Sequence, residues 1–123
     1  MTRIPLLAAL ALACLAAPAP ARADPVANEV MLQNPKTGKC LTIAGGESTD
    51  NNVPALQFDC DNHPSRTWRI SDVRGNGEHQ VRNVQTNKCL TIAGGESTAN
   101  NVPGLQFNCD EDLSRRWHIR LKL

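Results

Sequence analysis

Tyrosine is absent from the 123 residues, and only four aromatic side chains occur: Phe58, Trp68, Phe107 and Trp117. A core built on stacked rings is excluded, so Leu, Ile and Val must supply most of it, and it must be thin. An excess of one charge is lacking too, since 13 Lys+Arg oppose 12 Asp+Glu for a formal +1. That balance argues against nucleic acid or an anionic membrane as the principal partner. Apolar runs are missing beyond the N-terminal stretch, so no membrane span is expected. The length admits one small domain.

The N-terminus carries Arg3, an Ala/Leu-rich run over residues 4–17, and Ala21-Arg22-Ala23 before Asp24. A basic start, a short apolar stretch and an A-x-A site describe a signal peptide over residues 1–23, cleaved after Ala23. Leu12, where lipoprotein signals usually carry a small residue, argues against a lipidated Cys14. Cleavage removes Arg3 and Arg22 and no acid, which takes the formal charge from +1 to −1. It also removes Cys14, leaving Cys40, Cys60, Cys89 and Cys109, an even set that in an exported chain implies disulfides. The mature chain, residues 24–123, is expected to be soluble, and secreted or periplasmic.

Laid over itself at an offset of 49, the chain matches residue for residue from Cys40 to Thr49 and from Cys89 to Thr98. Across residues 40–70 the differences are confined to positions 50, 55, 59, 62, 63, 64, 67 and 69. Two copies of one supersecondary unit, residues 28–72 and 73–123, therefore make up nearly the whole mature chain. Within each copy, short runs of Val, Leu, Ile or Phe are bounded by Asn, Gly, Pro and Asp, and helical periodicity is absent. Strands are expected at 30–33, 40–44, 55–60 and 68–71, then at 80–83, 89–93, 104–109 and 117–121, an all-β class. Of the three possible connectivities, Cys40 with Cys60 and Cys89 with Cys109 is the one that keeps each copy self-contained and treats both alike.

A Cys-Leu-x-Ile strand, a Gly-Gly turn, a second Cys after an aromatic, and a terminal x-x-Trp recur in both copies. This pattern resembles the ricin-type β-trefoil lectin repeat over residues 30–123. The resemblance implies a β-trefoil in which repeats of about 49 residues surround a pseudo-threefold axis and carry shallow sugar pockets. Two such repeats are present and a third is missing, which makes an incomplete trefoil with an open apolar side. Self-association, or a protein partner completing the trefoil, is expected to cover that side. Three chains would supply six repeats to two trefoils.

The chain also departs from the family pattern. Thr42 and Thr91 stand two residues after the first Cys, where sugar-binding repeats carry Asp. Arg66 and Arg115 replace the Gln of the Gln-x-Trp motif, and Leu56 and Leu105 hold another position that is often Gln. Phe58 and Phe107 keep the aromatic platform and are the stacking candidates for a sugar ring. Thr42, Thr91, Gln57, Gln106, Asn51, Asn100, Asp61 and Asp110 are the candidates for sugar hydroxyls, with strand alternation pointing Gln57 and Gln106 to the opposite face from the phenylalanines. Trp68 and Trp117 read as core, and Gly45-Gly46 and Gly94-Gly95 as turns.

His63, His79 and His118 do not recur between the copies and have no metal-ligand spacing, and the four cysteines are taken up in bridges. No catalytic residue, metal or cofactor is assigned, and the chain is read as a non-enzyme. Carbohydrate binding is the first functional expectation. The alternative is a protein-interaction module without sugar sites, such as an accessory subunit of a toxin or an inhibitor of another exported protein.

Overall fold

A computed structural model describes residues 28–72 and 77–120. The signal peptide expected over residues 1–23 lies outside them. Eight strands are seen among the described residues: β1 (Glu29–Val30), β2 (Cys40–Ile43), β3 (Ala55–Phe58), β4 (Trp68–Asp72), β5 (Glu78–Asn83), β6 (Cys89–Ile92), β7 (Gly104–Phe107) and β8 (Trp117–His118). All pairings between them are antiparallel. The order β1-β4-β5-β6-β7 forms one sheet with β8 beside β5, and β2-β3 stands as a separate hairpin.

The two copies are built alike. In each, a hairpin holds the first Cys opposite the Phe: Cys40 faces Phe58, and Cys89 faces Phe107. A 3-10 turn, Pro64–Arg66 or Leu113–Arg115, then leads into the Trp strand. The turn is capped by His63 in one copy and by Asp112 in the other, each accepting from the backbone N–H two residues on. Different residue types thus satisfy the same orphan donor.

The outer strands are shorter than the sequence indicates, with β1 and β8 two residues each. Each has a neighbouring strand on one side only among the described residues. A strand with one ladder loses half its backbone hydrogen bonds.

The core is small. Ile43, Trp68 and Val81 are its buried centre, with Val30, Leu41, Val53, Ala55, Ile70, Leu90 and Trp117 packed around them. Trp68 is fully buried and donates its indole N–H to the Leu41 carbonyl at 3.0 Å. Trp117 repeats the bond to the Leu90 carbonyl at 3.0 Å. Each bond ties the last strand of a repeat to its own hairpin and satisfies the polar handle of a ring placed in the interior.

Disulfides join Cys40 to Cys60 and Cys89 to Cys109, with Cα separations of 5.1 and 5.0 Å. Each closes a span of 20 residues within one repeat. Replacing Cys40 and Cys60 together by alanine is expected to lower the unfolding free energy by roughly 3 kcal/mol, the loop-closure term for a span of this length. Urea unfolding of the oxidised protein and the variant measures it, and the Cys89/Cys109 pair is expected to give a similar loss.

Candidate functional site

Among the described residues, a small cleft of about 170 Å³ lies against the hairpin in each repeat. In the first, the lining is Thr42, Ile43, Gly45, Gly46, Leu56, Phe58 and Arg66. In the second it is Thr91, Ile92, Gly94, Gly95, Leu105, Phe107 and Arg115, joined by Asn52 from the first repeat. The glycine turns shape the rims: Gly45, Gly46, Gly94 and Gly95 all have φ near +75 to +80°, and a Cβ on Gly46 or Gly95 would meet a serine hydroxyl at 3.2 Å. Only glycine takes that backbone without strain.

The arginines define the chemistry of the clefts. Arg66 lies over the Phe58 ring with its guanidinium carbon 4.4 Å from the ring centroid, and Arg115 lies over Phe107 at 4.2 Å. These are cation–π distances. Asp61 and Asp110 face the Nε of Arg66 and Arg115 at 3.3 and 3.4 Å, and the Ser65 and Ser114 hydroxyls accept from the Nη1 atoms. The two rings differ in what remains accessible: Phe58 is 51% exposed, whereas Phe107 is half-buried.

The sequence candidates fall into three groups. Phe58, Phe107, Asp61 and Asp110 gather at the clefts, the two acids through their arginine pairs. Thr42 and Thr91 line the clefts but are buried with their hydroxyls engaged: Thr42 donates toward Ser65 at 3.0 Å, and Thr91 donates to the Ser114 carbonyl at 2.8 Å. Gln57, Gln106, Asn51 and Asn100 line neither cleft. Gln106 is fully buried between the repeats, Gln57 is exposed in a separate groove, Asn51 is half-buried, and Asn100 is exposed on its loop. Asn52 reaches the second cleft from the other repeat, a placement that no local spacing announces.

Two aspartates have carboxyls held below the ordinary value of 3.8, both at the surface. Asp59 is lowered chiefly by the hydrogen bond and charge of Lys39, and Asp112 chiefly by the Ser114 backbone N–H and then its hydroxyl. Among the described residues, no group of three or more His, Cys, Asp or Glu is placed to hold a metal ion, and no helix is long and apolar enough to cross a membrane.

The family model for ricin-type beta-trefoil lectin domain-like proteins matches residues 22–107. Among solved structures, the chain is similar to ThreeFoil, a designed 3-fold symmetric protein, at 20% identity and a TM-score of 0.68, covering 74% of this chain and 63% of that one. An exo-beta-1,3-galactanase from Clostridium thermocellum matches at 24% identity and a TM-score of 0.68, over 74% of this chain and 19% of that one. The chain thus spans less than two thirds of either relative. No curated protein matches.

A carboxyl depressed in the folded state stabilises above the unfolded value and loses that contribution as pH falls through the folded one. Carboxyl-carbon NMR titration is therefore expected to show Asp59 and Asp112 titrating below 3.8. Lys39→Ala should return Asp59 toward its ordinary value and leave Asp112 unmoved.

Proposed function

Because the chain belongs to the ricin-type beta-trefoil lectin domain-like family, we propose that it is an exported carbohydrate-binding module that acts without chemistry. The observation that supports this most directly is the pair of equivalent clefts, each with an aromatic ring, an arginine across it and an aspartate beside the arginine. Their size suits a single sugar residue more than a long chain. The apolar face of a sugar ring rests on the open part of Phe58 or Phe107. Arg66 and Arg115 donate to its hydroxyls, and Asp61 and Asp110 accept from them.

Thr42 and Thr91 serve this reading indirectly. With their hydroxyls bonded to the 3-10 turn, they fix the segment from which Arg66 and Arg115 project. The acid that sugar-binding repeats carry two residues after the first Cys is replaced here in function by Asp61 and Asp110, at the far end of the disulfide loop. Weak single sites on two repeats, multiplied by association of copies or by a protein partner, supply avidity. Export follows from residues 1–23, read as a signal peptide, and accords with the two disulfides. Occurrence of this fold within a galactanase accords with a carbohydrate-directed role.

One observation favours a second reading. The arginine that covers the Phe ring is itself neutralised by aspartate, so the cleft can also be read as a filled and inert one. In that case the scaffold binds a protein rather than a sugar.

Binding of the oxidised mature protein to a glycan array and to insoluble polysaccharides separates the two. Binding that free sugar competes away is expected, with the Phe58→Ala/Phe107→Ala variant weakened at least about tenfold, or roughly 1.4 kcal/mol. Absence of binding by folded, disulfide-intact protein, or binding that the double variant leaves intact, would sink the sugar reading.

A further inference from the structure

The two repeats are nearly identical in sequence, yet one surface is buried in the second and bare in the first. In the second repeat, Gln106 is fully buried: its side-chain amide donates to the Ser48 and Asp50 carbonyls at 2.8 Å each, and its oxygen accepts from Thr86 at 2.7 Å. The same residue exchanges two backbone bonds with the loop of the first repeat, Asn52 N–H to the Gln106 carbonyl at 2.8 Å and Gln106 N–H to the Val53 carbonyl at 3.0 Å. Asn83 adds a bond to the Ser65 carbonyl at 2.9 Å. The second repeat is thus a seat, and residues 48–54 of the first are what it holds.

The first repeat carries the same seat with nothing in it among the described residues. Gln57, the counterpart of Gln106, keeps only the bond from Thr37, the counterpart of Thr86. Leu32 is 40% exposed where Val81 is 4%, and Asn34 is exposed where Asn83 is fully buried. Met31, Leu32, Leu41 and Gln57 line an open groove of about 540 Å³ there. One junction bond has no counterpart: Val84 donates to the Thr67 carbonyl at 3.0 Å, and proline stands at the equivalent position 35.

The chain also carries a second loop of the kind the seat holds. Residues 97–103, Ser-Thr-Ala-Asn-Asn-Val-Pro, repeat residues 48–54 except for Ala99 in place of Asp50. That change is silent in the contact, since Asp50 takes part through its backbone carbonyl. Asn101 holds a φ of 69° against 72° for Asn52, so the loop is already in the seated conformation. Apart from the half-buried Val102, residues 97–103 are exposed.

From this we infer that copies of this chain associate by placing such a loop of one copy in the Gln57 seat of another. The Val102 carbonyl would accept from the Gln57 backbone N–H as that of Val53 accepts from Gln106, and the Ser97 and Ala99 carbonyls would accept from the Gln57 amide. Because Asn52 crosses the internal junction to line the second cleft, the same docking would bring an asparagine of the neighbour to the first.

A threefold ring leaves room for one repeat beside the two, too little for an intact second copy. Three chains, with six repeats, are the smallest number that fills whole rings. One of them contributes a repeat to each of two rings and gives up its own β4–β5 pairing, β4 taking a place beside β1 of one neighbour and β5 beside β8 of the other.

The test is solution mass by light scattering over a range of concentration, on the unaltered mature protein and on the Gln57→Ala and Val102→Asp variants. These sit on different repeats, so a folding defect in one leaves the other informative, and thermal unfolding checks both. A mass of three chains is expected, with association weakened at least tenfold by each folded variant. A single-chain or two-chain mass throughout, or a mass indifferent to both variants, overturns the inference; the first outcome would mean that the groove is covered by the chain itself or by nothing. The measurement contains no sugar, so failure of the lectin reading leaves it standing, and the converse holds.

Discussion

The indole N–H bond from Trp68 to the Leu41 carbonyl, with its twin from Trp117 to Leu90, is the constraint on which the rest of this architecture depends. With so few aromatic side chains, each repeat has one ring large enough to fill the space beneath its hairpin. The hydrogen bond fixes that ring relative to β2 or β6. Once it is placed, the 3-10 turn just before it is drawn under the hairpin, the threonine of the Cys-Leu-Thr strand finds a serine there, and the arginine next in sequence is carried over the phenylalanine. The cleft is therefore a by-product of how the core closes, which explains why it is formed nearly the same way twice. The disulfides act on the same elements from outside, holding each hairpin's first strand to the end of its second.

Much of the fold was legible in the chain. Identity at an offset of 49 located both units, and strand alternation separated Phe58 and Phe107 from Gln57 and Gln106 as the structure does. What was not legible depends on distance. Thr42 meets Ser65 across 23 positions, and Arg66 reaches Phe58 through a loop whose path no periodicity describes. The contrast between Gln57 and Gln106 could not be read from sequence at all, because their local sequences are the same. It arises from what precedes each repeat in space: a complete unit in one case, and no described residue in the other. Equally, β1 and β8 are shorter than their hydrophobic runs because length in an outer strand is set by the neighbour as much as by composition.

The clefts show how a repeat can keep its geometry while changing its chemistry. A carboxylate at position 42 or 91 would lie buried beside the serine of the turn, whereas threonine closes that space with a neutral hydroxyl that both donates and accepts. The charge sits instead in an arginine and aspartate pair whose arginine is largely buried, with side-chain exposures of 10% and 12%, while the aspartate is about half exposed at 48%. Because the arginine is buried, removing the aspartate would leave a charge without its partner, so the pair is tied to the structure as well as to the cleft. The repeats already differ there: Asp112 adds a second carboxylate near Arg115 at 3.6 Å, and His63 occupies that place in the first copy.

The junction between repeats is read through backbone carbonyls and amides of an Asn-Asn-Val loop, and the chain holds two such loops in the same conformation. They are chemically interchangeable, so affinity cannot tell the Gln106 seat which loop to take. Tethering must decide it: the first loop is joined to the second repeat through a short connection after β4 and is present at high effective concentration, while any other arrives from solution. The correct pairing of the two halves is thus a matter of chain connectivity and dilution, and the same molecule at high local concentration has a built-in route to exchanging halves with its neighbours.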